Sequence, residues 1–248
     1  MLLRVDNMSD RKIWTYLEEL PEQEAAWREW SCRLAGWNRF NTFYTHYLRV
    51  ENNRANFLEC TTPCEHGCPR QIVENSPSDI VAVCPEVKAI PLQLKFRDIL
   101  IYSIRREILH RALCVSLNIK YSADRRTEHV HVWHLGDHSG TEVYITYRTA
   151  PAVFADTISS LYLSQQKPFI LMVPTVKNIT PEIQQFFAKN NSTLLSMADE
   201  LHLQSDGSFK SLRSISECMK SCNPLCPQAG QNTMLPIEAY KYMVYNDL

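Results

Sequence analysis

Hydrophobic positions along this chain alternate between a helical spacing and a strand spacing. Ile13, Trp14, Leu17 and Leu20 recur as one helix face does, until Pro21 interrupts. Ala25, Trp27, Trp30, Leu34 and Trp37 continue an aromatic-rich stripe, Gly36 is suited to end that helix, and "WNRFNTFYTHYLRV" predicts a third. The stripe reads as packing surface, because a base-stacking platform combines exposed aromatics with basic neighbours. Residues 1–57 are therefore expected to be a helical N-terminal region.

The period then changes. "RQIVE" and "DIVAVC" are short β-like runs around the turn signal "NSPSD", and "AIPLQLKF" predicts a further strand, so 58–94 reads as a Cys-rich hairpin. "FRDILIYSIRREILHRALCVSLNI" predicts one helix with Ile101, Ile104, Ile108, Ala112 and Val115 on a shared face. "HVHVWHLGDHSGTEVYITYR" reads as a second hairpin. After it come a helix in "APAVFADTISSLYLSQQ", a buried strand in "PFILMVPT", a helix in "TPEIQQFFAKNN" capped by Thr180 with Pro181 in its first turn, and a strand in "STLLSMADEL". This rhythm predicts a small α/β domain over 95–205, and 206–248 is expected to be a helix with a Cys-containing tail.

Composition narrows the class. A chain of 248 residues, 45% hydrophobic and 21% charged, suits one large globular domain or two smaller ones. Its 6 glycines argue against Gly-rich phosphate loops. No apolar run approaches the ~18 residues of a membrane span, and Asp6 and Asp10 come too early for a signal peptide. A cytoplasmic address with no membrane contact is expected, and reducing conditions there make thiols better metal ligands than disulfide partners.

Of the 9 cysteines, Cys60, Cys64 and Cys68 form a C-x3-C-x3-C group, with Cys84 at the end of the following hairpin. Four thiolates beside a hairpin can complete a tetrahedral zinc site, with His66 able to replace one. In its hairpin and thiols the segment resembles a zinc ribbon, although the spacing departs from that pattern. Such a site is coordinatively closed, so zinc would hold the fold and carry no reaction; an iron–sulfur cluster is the alternative cofactor. Cys218, Cys222 and Cys226 repeat the spacing with no Cys or His after them to complete a site. Cys32 and Cys114 read as core thiols.

The fold class expected is thus α+β or α/β: a helical N-terminal part, a small Cys-rich, zinc-ribbon-like hairpin, then a small α/β domain. Chemistry has two further candidate locations. "HVHVWHLGDH" carries His129, His131, His134 and His138, and His129 and His131 share one face of a strand. At His129, His131 and His134 the stretch partly resembles the H-x-H-x-D-H motif of metallo-β-lactamase-like hydrolases, but Trp133 stands where that motif has its Asp. Asp137 and Glu142 sit where a restriction-type nuclease would carry carboxylates, without the lysine of its Glu-x-Lys. This hairpin is the basis of an alternative reading, a metal-dependent hydrolase or nuclease.

The second location is electrostatic. Net charge is −1, yet residues 95–126 hold eight Lys or Arg against three acidic residues, a local excess of +5. Arg105, Arg106, Arg111, Arg125 and Arg126 are expected to touch phosphates, giving affinity without sequence preference. The leading expectation is a zinc-stabilised cytosolic binding or regulatory protein that contacts nucleic acid through this segment. A purely structural protein–protein interaction module is the other alternative.

Overall fold

The computed structural model describes residues 3–20, 22–60, 69–84, 90–126 and 131–221. Helix α1 (Leu3–Glu19) opens the chain, and Ile13, Trp14 and Leu17 are its buried stripe. It stops where Pro21 disfavours helical geometry for Leu20. The chain divides into two units, one formed by Leu20–Arg106 and the other by the residues up to Glu19 with those from Glu107 onward. Among the described residues the fold is mixed α/β, with eight α-helices, several small sheets and no closed barrel.

The Leu20–Arg106 unit runs β1 (Glu24–Ala26), α2 (Trp27–Arg33), α3 (Phe40–Tyr47), β2 (Leu48–Arg54), β3 (Phe57–Leu58), β4 (Arg70–Ser76), β5 (Asp79–Val83), β6 (Leu92–Leu94), a 3-10 turn (Phe96–Ile99) and β7 (Leu100–Ile104). The β4–β5 hairpin forms as its alternation demands, with Ile72 opposite Ala82 and Val73 opposite Val81. It lies within a four-stranded sheet ordered β3-β4-β5-β6, whose core is Leu58, Ile80, Ala82 and Leu94 with Ala26 and Ile99.

Two local expectations change here. Residues 24–26 and 48–54 are strands within the region expected to be helical, and "LIYSI" is a strand where one long helix was expected. The reason is tertiary. β7 is the central strand of a three-stranded sheet, antiparallel to both β1 and β2, and its β-branched and aromatic side chains suit that setting. The helix begins only at Arg106.

From Glu107 the second unit continues with the rest of α4 (Arg106–Leu117), β8 (Lys120–Arg126), β9 (Val132–His138), β10 (Thr141–Thr146), α5 (Pro151–Gln165), β11 (Phe169–Val173), α6 (Pro181–Lys189), β12 (Thr193–Ser196), α7 (Met197–Glu200), β13 (Leu201–Leu203), β14 (Phe209–Ser211) and α8 (Ile215–Ser221). Its main sheet is ordered β12-β11-β10-β9-β8. β8, β9 and β10 form an antiparallel meander, whereas β10, β11 and β12 are parallel. The two parallel crossovers through α5 and α6 step in the same direction, so right-handedness puts both helices on one face. There Val132, Tyr144, Leu171 and Val173 pack with Phe154, Ile158, Leu161, Ile183 and Phe187. The alternate positions Trp133, Val143, Ile145, Ile170 and Met172 are buried too, so both faces are covered and β11 is apolar at every residue. Thr180 caps α6 through its side chain, which accepts from Ile183 N–H, as expected.

Candidate functional site

The expected metal centre is the first correction. Cys60 and Cys84 follow β3 and β5, and the register of β4 with both strands brings those two ends to the same end of the sheet. Among the described residues, however, no group of three or more His, Cys, Asp or Glu side chains is arranged to hold a metal ion. A closed zinc site needs four ligands around one ion and an iron–sulfur cluster four thiolates around its irons, so neither cofactor is supported. Cys64, Cys68 and His66 lie outside the described residues, as do Cys222, Cys226 and His129. Cys218 is buried on α8 and His131 precedes β9 in a left-handed conformation, and neither joins such a group. Cys114 is a core thiol as expected, but Cys32 is exposed.

The histidine hairpin gathers a different set of side chains. β9 carries one residue, Leu135, between His134 and Gly136, while their partners on β10, Tyr144 and Val143, are consecutive. On the other side, β8 has Ser122, Ala123 and Asp124 opposite that same single residue. Such irregularities bend a strand and re-aim its side chains. Gly136 permits this one: its φ is +141°, and a Cβ there would lie 2.1 Å from the Lys120 carbonyl oxygen. As a result Ser122 Oγ lies 3.2 Å from His134 Nδ1, and His134 Nε2 is hydrogen-bonded to Glu142 Oε2.

Its neighbours are committed elsewhere. Asp137, opposite Glu142 in the ladder, turns back to accept from Gly140 N–H at 3.1 Å, and His138 Nδ1 lies 3.1 Å from the Asn118 carbonyl. The carboxylate pair of a metal nuclease is therefore not assembled among the described residues. Burial first, and then the Glu142 charge, push the Tyr144 phenol up to about 12, so it stays protonated at neutral pH.

The basic segment is not one helix, and its residues are divided between the two units. Arg105 follows β7 in the first unit, and its guanidinium reaches the His46 carbonyl at 3.4 Å. Arg106 is half-buried, whereas Arg111 pairs with Glu107 one helical turn away and lies over the Tyr121 ring in the second unit. Arg125 and Arg126 end β8, and their side chains are outside the described set.

Two residues of the segment that the sequence reading did not single out have the more informative setting. Arg97 lies 3.8 Å over the Trp27 ring and 5.5 Å from the Tyr44 ring centre. Trp27 stacks with Phe40 at 5.6 Å and meets Tyr44 edge-on at 4.8 Å, and all three rings are half-buried. Beside Arg97 in sequence, Phe96 is exposed and lies under Arg54 at 5.0 Å. Trp30, Leu34 and Trp37 are buried as the stripe predicts, and Trp30 Nε1–H is anchored on the Tyr102 carbonyl at 3.0 Å. Trp27 alone of these tryptophans is only half-buried, its ring packed against Arg97, Phe40, Tyr44 and Tyr102. Its helical spacing assigned it to the core, and only the distant arrival of Arg97 distinguishes it.

No family model matches the chain, and neither a curated protein nor a solved structure matches it.

Proposed function

We propose that the Leu20–Arg106 unit is a binding module for single-stranded nucleic acid, using the face made by Trp27, Phe40, Tyr44 and Arg97. The observation that carries this reading is the Arg97 guanidinium lying 3.8 Å over a half-buried tryptophan. Bases stack on partly exposed aromatic side chains, and an adjacent cation neutralises the phosphate that follows. The expected ligand class is therefore kept, while the stacking groups come from α2 and α3. Arg54 over Phe96 repeats the same pairing of cation and ring within the unit. With a whole-chain charge of −1, long-range attraction is weak, so affinity rests on this local face and falls with salt. Stacking without base-edge contacts predicts tolerance of sequence.

The test is fluorescence anisotropy of a labelled single-stranded oligonucleotide across a salt series. Trp27→Ala should remove one stacking contact and weaken binding by roughly 5- to 150-fold, the equivalent of about 1–3 kcal/mol. Arg97→Ala should weaken binding and also flatten the salt dependence by about 0.7 in the log–log slope. No binding at low salt, or unchanged binding by a folded Trp27→Ala variant, overturns the reading.

A further inference from the structure

The Ser122–His134–Glu142 set belongs to the other unit and is independent of the nucleic-acid reading. Its order of contacts dictates its chemistry. An ionised Glu142 only accepts, so in the neutral ring His134 Nε2 carries the hydrogen and donates it to Glu142. Nδ1 is then left with its lone pair, 3.2 Å from Ser122 Oγ, which makes Ser122 the donor of that bond. Three adjacent strands thus supply a hydroxyl, a base in contact with it and a carboxylate that orients the base, which are the roles of a serine nucleophile, not its sequence motif.

We propose that Ser122 is a nucleophile that accepts an acyl group from a small activated ester, with His134 as its general base and Glu142 as a positioning residue. Ser122 Oγ forms a bond to the ester carbonyl carbon while its proton passes to His134 Nδ1. The tetrahedral adduct then breaks its bond to the alcohol oxygen, and the departing alcohol takes that proton. Water attacks the acyl-serine in the same way, losing a proton to Nδ1. The carboxylic acid leaves as that proton returns to Ser122 Oγ. The His134 and Glu142 side chains are 26% and 49% exposed, so the site opens onto solvent and suits a short acyl group presented from solution.

The probe is a fluorophosphonate, which phosphonylates a serine oxygen activated in this way and expels fluoride. The full chain is treated and read by intact mass and peptide mapping. The expected result is one adduct per chain, on Ser122, absent from Ser122→Ala. Loss of the base in His134→Gln should slow labelling by about a hundredfold or more. Glu142→Gln should slow it at least about tenfold, and Glu142→Asp, which keeps the carboxylate, should recover part of that loss. No adduct on Ser122 overturns the proposal. Equal labelling by the Glu142→Gln chain overturns it too, because the hydroxyl would then be merely accessible. Unfolding the native sequence in urea gives a readout that needs no variant: labelling should be lost, and equal labelling again overturns it.

Discussion

Replacing Glu18 by Ala tests how the first helix is tied to the sheet it joins. The Glu18 side chain is 3% exposed at the last turn of α1. Its carboxylate accepts from Thr149 Oγ1, from Thr175 Oγ1 at 2.7 Å and from Asn178 Nδ2 at 3.5 Å, with Lys177 Nζ at 3.6 Å. Thr149 and Thr175 are buried just beyond the carboxyl ends of β10 and β11. Truncation takes the acceptor from both hydroxyls, whereas Asn178 keeps its bond to Thr149 Oγ1 at 3.1 Å. An unsatisfied buried donor costs about 1–3 kcal/mol, and water entering the vacated space offsets part of this. The expected loss is about 3 kcal/mol, which for a chain of this size lowers Tm by roughly 6–12 °C. Glu18→Gln keeps one acceptor oxygen and should lose about half as much. Lys177→Met should change stability by no more than about 1 kcal/mol, because its side chain is 41% exposed and the ion pair is solvent-screened. Urea denaturation followed by circular dichroism gives all three values. A Glu18→Ala loss below about 1 kcal/mol, or a Lys177→Met loss equal to it, would refute the assignment of the energy to the buried hydroxyl contacts.

The Tyr144 phenol holds its proton more tightly in the fold than in the unfolded chain, so its contribution is complete below pH 10.0 and fades as pH rises towards about 12. Urea midpoints should fall through that window in the native sequence and fall less in Tyr144→Phe; equal slopes would contradict the burial argument. Gly136→Ala must place a Cβ 2.1 Å from the Lys120 carbonyl oxygen at a φ of +141°, and should destabilise its unit by more than about 2 kcal/mol. A thermal melt indistinguishable from that of the native sequence would show that the β8–β9 irregularity can relax at no cost.

How much was legible from the residues depended on how local the determinant was. The β4–β5 and β9–β10 hairpins, the capped start of α6 and the apolar β11 follow from period, turn chemistry and capping within a few residues. The segment 100–104 did not, because Ile101 and Ile104 fit a helical stripe equally well, and only pairing with β1 and β2 selects the strand. The cysteine expectation rested on counting ligands along the chain. A metal site is a condition on convergence in space, which spacing alone does not impose.

By itself the sequence determined a mixed α/β chain, its two clearest hairpins and a helix–strand alternation after residue 150. Tertiary structure decided which side chains meet. Trp27 came from a stripe read as core and Arg97 from a segment read as helix, and they touch because α2 and the 3-10 turn before β7 fold into one unit. Ser122, His134 and Glu142 lie on three separate strands and converge through two ladder irregularities centred on Leu135. Periodicity specifies which face of an element is buried. Register and bulges between elements specify which polar groups share a point, and those depend on partners far away in the chain.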